Sequence, residues 1–173
     1  EELPFRLTGS QVACLAEIEA DLQSPHAMQR LLQGDVGSGK TIVATLACMM
    51  AVQGGYQAAF MVPTEILARQ HFEKISAQTK QIKTALLTGS LSQTEKQDVM
   101  DRVGRGQIDL VIGTHALLEA AVQFKALGLV VIDEQHKFGV GQRSLLPAKG
   151  ANPDVLIMTA TPIPRSLAIT LYG

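Results

Sequence analysis

No tryptophan occurs in this chain of 173 residues, and five phenylalanines and two tyrosines are its only aromatics. So few rings argue against a stacking platform for single-stranded nucleic acid. An excess of positive charge is missing too: 15 Lys and Arg against 16 Asp and Glu leave a net charge of −1. Dedicated nucleic-acid-binding domains carry a basic excess, so any DNA contact is expected to be local, through phosphates, and weak from this chain alone. Cysteine is scarce. Cys14 and Cys48 form no CxxC pair, which excludes a disulfide framework and makes a reducing cytosol the expected setting. The four histidines do not cluster with cysteine, so no zinc-ligand spacing arises. No apolar run approaches the ~18–20 residues needed to cross a membrane, and no charged-then-apolar leader opens the chain; no membrane partner is expected. Asn152 is the only asparagine and precedes Pro153, so the Asn-Lys-x-Asp element of guanine-specific enzymes is absent.

What is present is a regular alternation. With 46% hydrophobic residues, the length suits one domain with a substantial core. Apolar runs predict strands at 30–33, 57–62, 82–87, 108–112, 127–133 and 154–159. Helical periodicity predicts helices near 9–22, 40–53, 64–78, 92–104 and 163–171. Strands alternating with helices imply an α/β fold, a mostly parallel sheet with helices on both faces. Thr8 with Gln11, and Ser92 with Glu95, have capping-box spacing. The stretch KTIVATLACMMAVQ is apolar all round, so its helix should be buried.

Residues 34–41, GDVGSGKT, match the phosphate-binding loop G-x-x-x-x-G-K-[ST] and sit between a strand and a helix, as that motif requires. Backbone N–H groups of Gly34, Val36, Gly37, Ser38 and Gly39 can turn toward phosphate oxygens, helped by the helix dipole. Lys40 is placed to reach the β- and γ-phosphates and Thr41 to ligate Mg²⁺. Later, LVVIDEQH at 129–136 runs a core strand into two carboxylates. Ligands of open α/β sheets lie at the carboxyl ends of strands. There Asp133 can hold Mg²⁺ through water, and Glu134 can act as general base on the attacking water.

The phosphate loop, PTEILARQ at 63–70, GTHALL at 113–118, DEQH at 133–136 and TATPIPR at 159–165 resemble motifs I, Ia, Ic, II and III of superfamily 2 helicases. The resemblance covers nearly the whole chain. DEQHKFGVGQR followed by TATPIPRSLAITLYG is similar, more particularly, to the first RecA-like lobe of the RecG family of bacterial branched-DNA translocases. Transcription–repair coupling and replication-restart translocases are expected to read DEEQ and DEEH instead.

The resemblance implies a RecA-like P-loop NTPase lobe spanning 1–173, using ATP and Mg²⁺ in a bacterial cytoplasm. It also implies an adenine-recognition element at Phe5 and Gln11, although Gln11 is equally placed to serve the capping box. Thr64, Thr114 and, more weakly, Thr88 become contacts for DNA phosphates, with N-capping the plainer alternative for the first two. Gln135 and His136 become a relay toward Thr159 and Thr161. A second RecA-like lobe with an arginine finger and a DNA-gripping wedge domain are implied as partners. A stand-alone P-loop phosphotransferase is the rival enzyme, but no lid or acceptor segment is visible. A nucleotide-sensing module would be expected to lack Lys40 or Glu134. No role is assigned to Gln142 and Arg143.

Overall fold

A computed structural model of the chain describes residues 6–134 and 145–160. The order is α1 (Gly9–Leu22), β1 (Gln29–Gln33), α2 (Lys40–Gln53), β2 (Gln57–Met61), α3 (Glu65–Gln78), β3 (Thr84–Leu87), α4 (Gln93–Gly104), β4 (Leu110–Gly113), a 3-10 turn (His115–Leu118), β5 (Leu127–Asp133), a second 3-10 turn (Pro147–Lys149) and β6 (Asp154–Thr159). All six strands are parallel, in the order β1-β6-β5-β2-β4-β3. The α/β expectation is borne out. The strands predicted at 82–87 and 108–112 begin later, at Thr84 and Leu110; just before them Asp109 Oδ2 accepts from the Lys83 N–H at 2.8 Å. The predicted helix at 163–171 lies outside the described residues.

Alternation along the central strands divides the core between the two faces of the sheet. Ala58, Phe60 and Val62 of the β2 region pack with Leu129 and Val131 beneath α1, α2 and α3. Ala59, Met61, Val130 and Ile132 face the other way, toward α4 and the first 3-10 turn. Helix α2 is sandwiched as its composition predicts, with Val43, Ala44, Ala47 and Cys48 buried. Burial pushes the Cys48 thiol up to about 12, so it is an inert core group; Cys14 and Cys48 are both unpaired.

Both capping boxes form, at Thr8–Gln11 and Ser92–Glu95. At the amino ends of the strands, buried Gln57 donates to the carbonyls of Val103 (2.9 Å) and Ile108 (2.8 Å). Its oxygen accepts from the N–H groups of Lys125 and Ala126. One amide thus satisfies three loop groups and one carbonyl in the last turn of α4, and the loops that carry chemistry lie at the opposite ends of the strands. Among the described residues no helix is long and apolar enough to cross a membrane.

Candidate nucleotide site

The loop at 34–39 connects β1 to α2. Gly37 and Gly39 both have φ of +85°, a left-handed conformation that glycine adopts without strain. The loop's start is tied to the sheet by Gly34 N–H donating to the Thr159 carbonyl at 3.3 Å. Lys40 curls beneath it, its ammonium donating to the Gly34 carbonyl and, at 2.8 Å, to that of Asp35. The charge therefore already sits at the loop's mouth. The Val36 side chain is 90% exposed.

Two strands away, Asp133 closes β5 and Glu134 follows it. Glu134 is left-handed as well, with φ of 52°, a conformation uncommon for non-glycine residues. It is pinned there by its own N–H donating to the Met158 carbonyl at 3.0 Å. Its Oε1 accepts from the Ala160 N–H at 3.3 Å. The turn thus brings Glu134 into the same cleft as Asp133. Non-glycine residues held in this way cluster at functional sites.

Thr41, Lys40, Gly37, Gly39, Asp133, Glu134 and Gln11 line one cleft of about 420 Å³. A larger hollow of about 770 Å³ lies at the far ends of the strands, beside Tyr56 and Asn152. It borders neither the phosphate loop nor the acidic pair, so the smaller cleft is the chemically furnished one. Arg6, His71, Lys74 and Gln78 line the furnished cleft as well, and sequence reasoning passed over all four. The last three follow one face of α3 at spacings of three and four residues, a polar stripe that could have shown them.

No group of three or more His, Cys, Asp or Glu side chains among the described residues could hold a metal unaided. The donor set suits Mg²⁺, which keeps several waters and takes one or two carboxylates plus substrate phosphates; Thr41 and Asp133 are the residues that would hold it.

Gln11 divides its amide between the cap and the phosphate loop. Oε1 accepts from the Thr8 N–H at 2.9 Å, completing the cap, while Nε2 donates to the Ser38 carbonyl at 3.0 Å. A primary amide has two N–H donors and two acceptor lone pairs, so one of each remains for a purine edge. Gln11→Ala is expected to narrow the ATP-over-GTP affinity ratio about tenfold, the worth of one or two hydrogen bonds, and to lower the melting temperature through loss of the cap. Competition binding with both nucleotides checks this. A lower melting temperature with an unchanged ratio would leave capping as its whole role.

The three threonines expected at DNA differ from one another. Thr64 is exposed and caps α3, its hydroxyl accepting from the Leu67 N–H at 3.3 Å. Thr88 is fully buried, its hydroxyl 3.2 Å from that of Ser90. Thr114 is also buried, and its hydroxyl has no hydrogen-bond partner. It starts a 3-10 turn without capping it through its side chain. The ends of α3 and β3 are laced together: Glu65 Oε1 accepts from the Ser90 N–H at 2.9 Å, and Arg69 donates to the Ser90 hydroxyl. Hydrogen bonds from Ser90 hold the Glu65 carboxyl below its ordinary range. Phe5, Gln135, His136, Thr161, Gln142 and Arg143 lie outside the described residues. Of the expected relay, Thr159 is described: it is buried at the end of β6, beside the loop it anchors.

The family model for DEAD/DEAH box helicases matches residues 9–169. The chain belongs to the DEAD/DEAH box helicase family. It is similar along 99% of its length to the ATP-dependent DNA helicase RecG of Streptococcus pneumoniae, at 61% identity. It is 54% identical over its full length to that of Bacillus subtilis. It spans about a quarter of the length of these relatives, 26% of each. A solved structure of RecG bound to a three-way DNA junction superposes with a TM-score of 0.86 at 50% identity, covering 99% of this chain and 23% of that one. A yeast Dbp5 structure, at 20% identity, shares the fold with a TM-score of 0.71 over 96% of this chain and 46% of its own. The sheet of this DEAD/DEAH box chain is thus that of a RecA-like lobe.

Proposed function

We propose that residues 1–173 form the ATP-binding motor lobe of a bacterial cytoplasmic DNA translocase that remodels branched DNA such as stalled forks and Holliday junctions, in repair and recombination. The observation that carries this is the meeting of the phosphate loop after β1 with Asp133 and Glu134 after β5 in one cleft. It occurs in a chain similar along its length to RecG helicases. That whole-length similarity favours RecG over the coupling and restart translocases and leaves the phosphotransferase alternative without support.

In this reading the loop's N–H groups and the Lys40 ammonium bind the triphosphate, and Gln11 and Phe5 hold the adenine. Mg²⁺, held by Thr41 and Asp133, would neutralise charge on the phosphates. The Glu134 carboxylate accepts a proton from the attacking water as ATP becomes ADP and phosphate. Gln135 and His136, with Thr159 and Thr161, pass the state of the γ-phosphate toward the DNA side. There the exposed start of α3 at Thr64 meets a backbone phosphate. Buried Thr88 and Thr114 contribute only after their hydroxyls are uncovered. A second RecA-like lobe and a wedge domain of the parent polypeptide complete the machine.

The test is ATP-dependent remodelling of a synthetic three-way junction by the intact polypeptide containing these residues. Junctions are expected to be processed and linear duplex of equal length to be left, with binding that weakens steeply as salt rises. ATP hydrolysis indifferent to DNA, or equal action on both substrates, would refute the assignment.

A further inference from the structure

His71 is an odd residue for its place. It lies midway along α3, a helix that packs on the sheet, and its side chain is only 12% exposed. Its ring lies against Phe60 of β2, with centroids 5.1 Å apart and planes tilted by 35°. Packing of that kind restricts how the imidazole can turn. Its Nε2 lies 3.5 Å from Oδ2 of Asp133, whose side chain is 14% exposed. Lys74 and Gln78, on the same helix face, continue along the cleft wall.

Resting on the proposed function, we propose that His71 is a positioning residue for the Asp133 carboxylate. It steers that carboxylate toward the divalent cation, leaving the phosphate loop to bind the nucleotide without its help. The chemistry follows from the geometry. Asp133 stands at the end of a strand, where the ladder fixes its backbone and leaves its χ angles to be set by contacts. The imidazole nitrogen is a polar group within a short shift of hydrogen-bond range of one carboxylate oxygen. That contact orients the carboxylate and leaves the second oxygen for cation-bound water. Outer partners of metal-binding carboxylates are worth ~10–100-fold in metal affinity. A purely structural histidine would instead contribute through packing on Phe60 and leave cation affinity untouched.

The experiment titrates Mg²⁺, from a chelated start, into the intact polypeptide containing residues 1–173, with fluorescent ADP as the probe. Binding, not turnover, is the readout. His71→Leu, which retains apolar volume against Phe60, is expected to raise the Mg²⁺ needed for half-maximal effect by about tenfold or more. Nucleotide affinity in chelator should be unchanged. His71→Gln, whose terminal amide nitrogen sits close to where Nε2 was, is expected to restore most of the Mg²⁺ response. His71→Asn, too short to reach, is not, and this polar pair decides the matter if the Leu variant does not fold. Identical Mg²⁺ dependence in wild type and His71→Leu would overturn the proposal, as would equal impairment of the Gln and Asn variants. Absence of Mg²⁺-dependent nucleotide binding in the wild type would instead overturn the proposed function, and this inference with it.

Discussion

Glu134→Gln is expected to slow ATP hydrolysis about 10²–10⁴-fold while nucleotide binding stays near its original strength, because a general base contributes in that range. The substitution is close to isosteric. It keeps the left-handed turn pinned by Met158 and an oxygen to face the Ala160 N–H, but removes the basicity that takes a proton from water. Lys40→Ala should fail earlier. Its ammonium supplies positive charge at the loop mouth beside the Gly34 and Asp35 carbonyls, so its removal takes away affinity for the triphosphate itself. The two variants therefore separate: one binds and does not turn over, the other does not bind well. Nucleotide binding by fluorescence and single-turnover hydrolysis on the intact polypeptide distinguish them. Equal loss of binding in both would sink the assignment of Glu134 as the base.

A comparable loss is expected when residues 1–173 are assayed alone. The cleft is open, and its described lining comes from a single lobe, with Arg6 as its only arginine among the described residues. An arginine finger from a second lobe is worth ~10³–10⁵ in rate where such fingers act. The 173-residue chain should thus bind nucleotide weakly, show little or no DNA-stimulated hydrolysis and unwind nothing. DNA affinity should be low as well, given a net charge of −1 and that, of the three threonines proposed to contact DNA, Thr64 is exposed while Thr88 and Thr114 are enclosed. Steady-state hydrolysis with and without forked DNA, then with the second lobe supplied, is the measurement. Robust DNA-stimulated turnover by the single lobe would point to a self-sufficient P-loop enzyme.

Much of this site could be read directly from residues because its signals are local. A glycine-rich loop with Lys40 and Thr41 declares itself in eight positions, and an apolar run ending at Asp133 shows where a strand delivers its last residue. Caps at Thr8 and Ser92 are equally local, and both form. What stayed hidden depends on distant parts of the chain meeting. The φ of Glu134 is held by Met158, on a neighbouring strand. His71 is informative only because β2 and β5 are adjacent, bringing Phe60 and Asp133 to the same helix face. Thr64 and Thr114 look alike as small hydroxyl residues after a turn residue, yet one caps a helix in solvent and the other is sealed beneath its neighbours. Burial of that kind is set by packing, which no short window of sequence contains.

The strand order has a consequence for how the protein is made. Among the described residues, β1 has one strand neighbour, β6. The contact that starts their pairing, Met28 N–H to Asp154 Oδ1, joins residues 126 positions apart. A ribosome adding ~5–20 residues per second needs roughly 6–25 seconds to travel that distance. Through that interval β2, β4 and β3, then β5, can assemble into a growing sheet while β1 waits without a ladder. The phosphate loop hangs from β1 and is moored to Thr159, at the far end of β6. The nucleotide pocket therefore cannot be completed before β6 is synthesised, and a nascent chain that has not yet delivered β6 can hold a partial sheet but lacks the mooring of its phosphate loop.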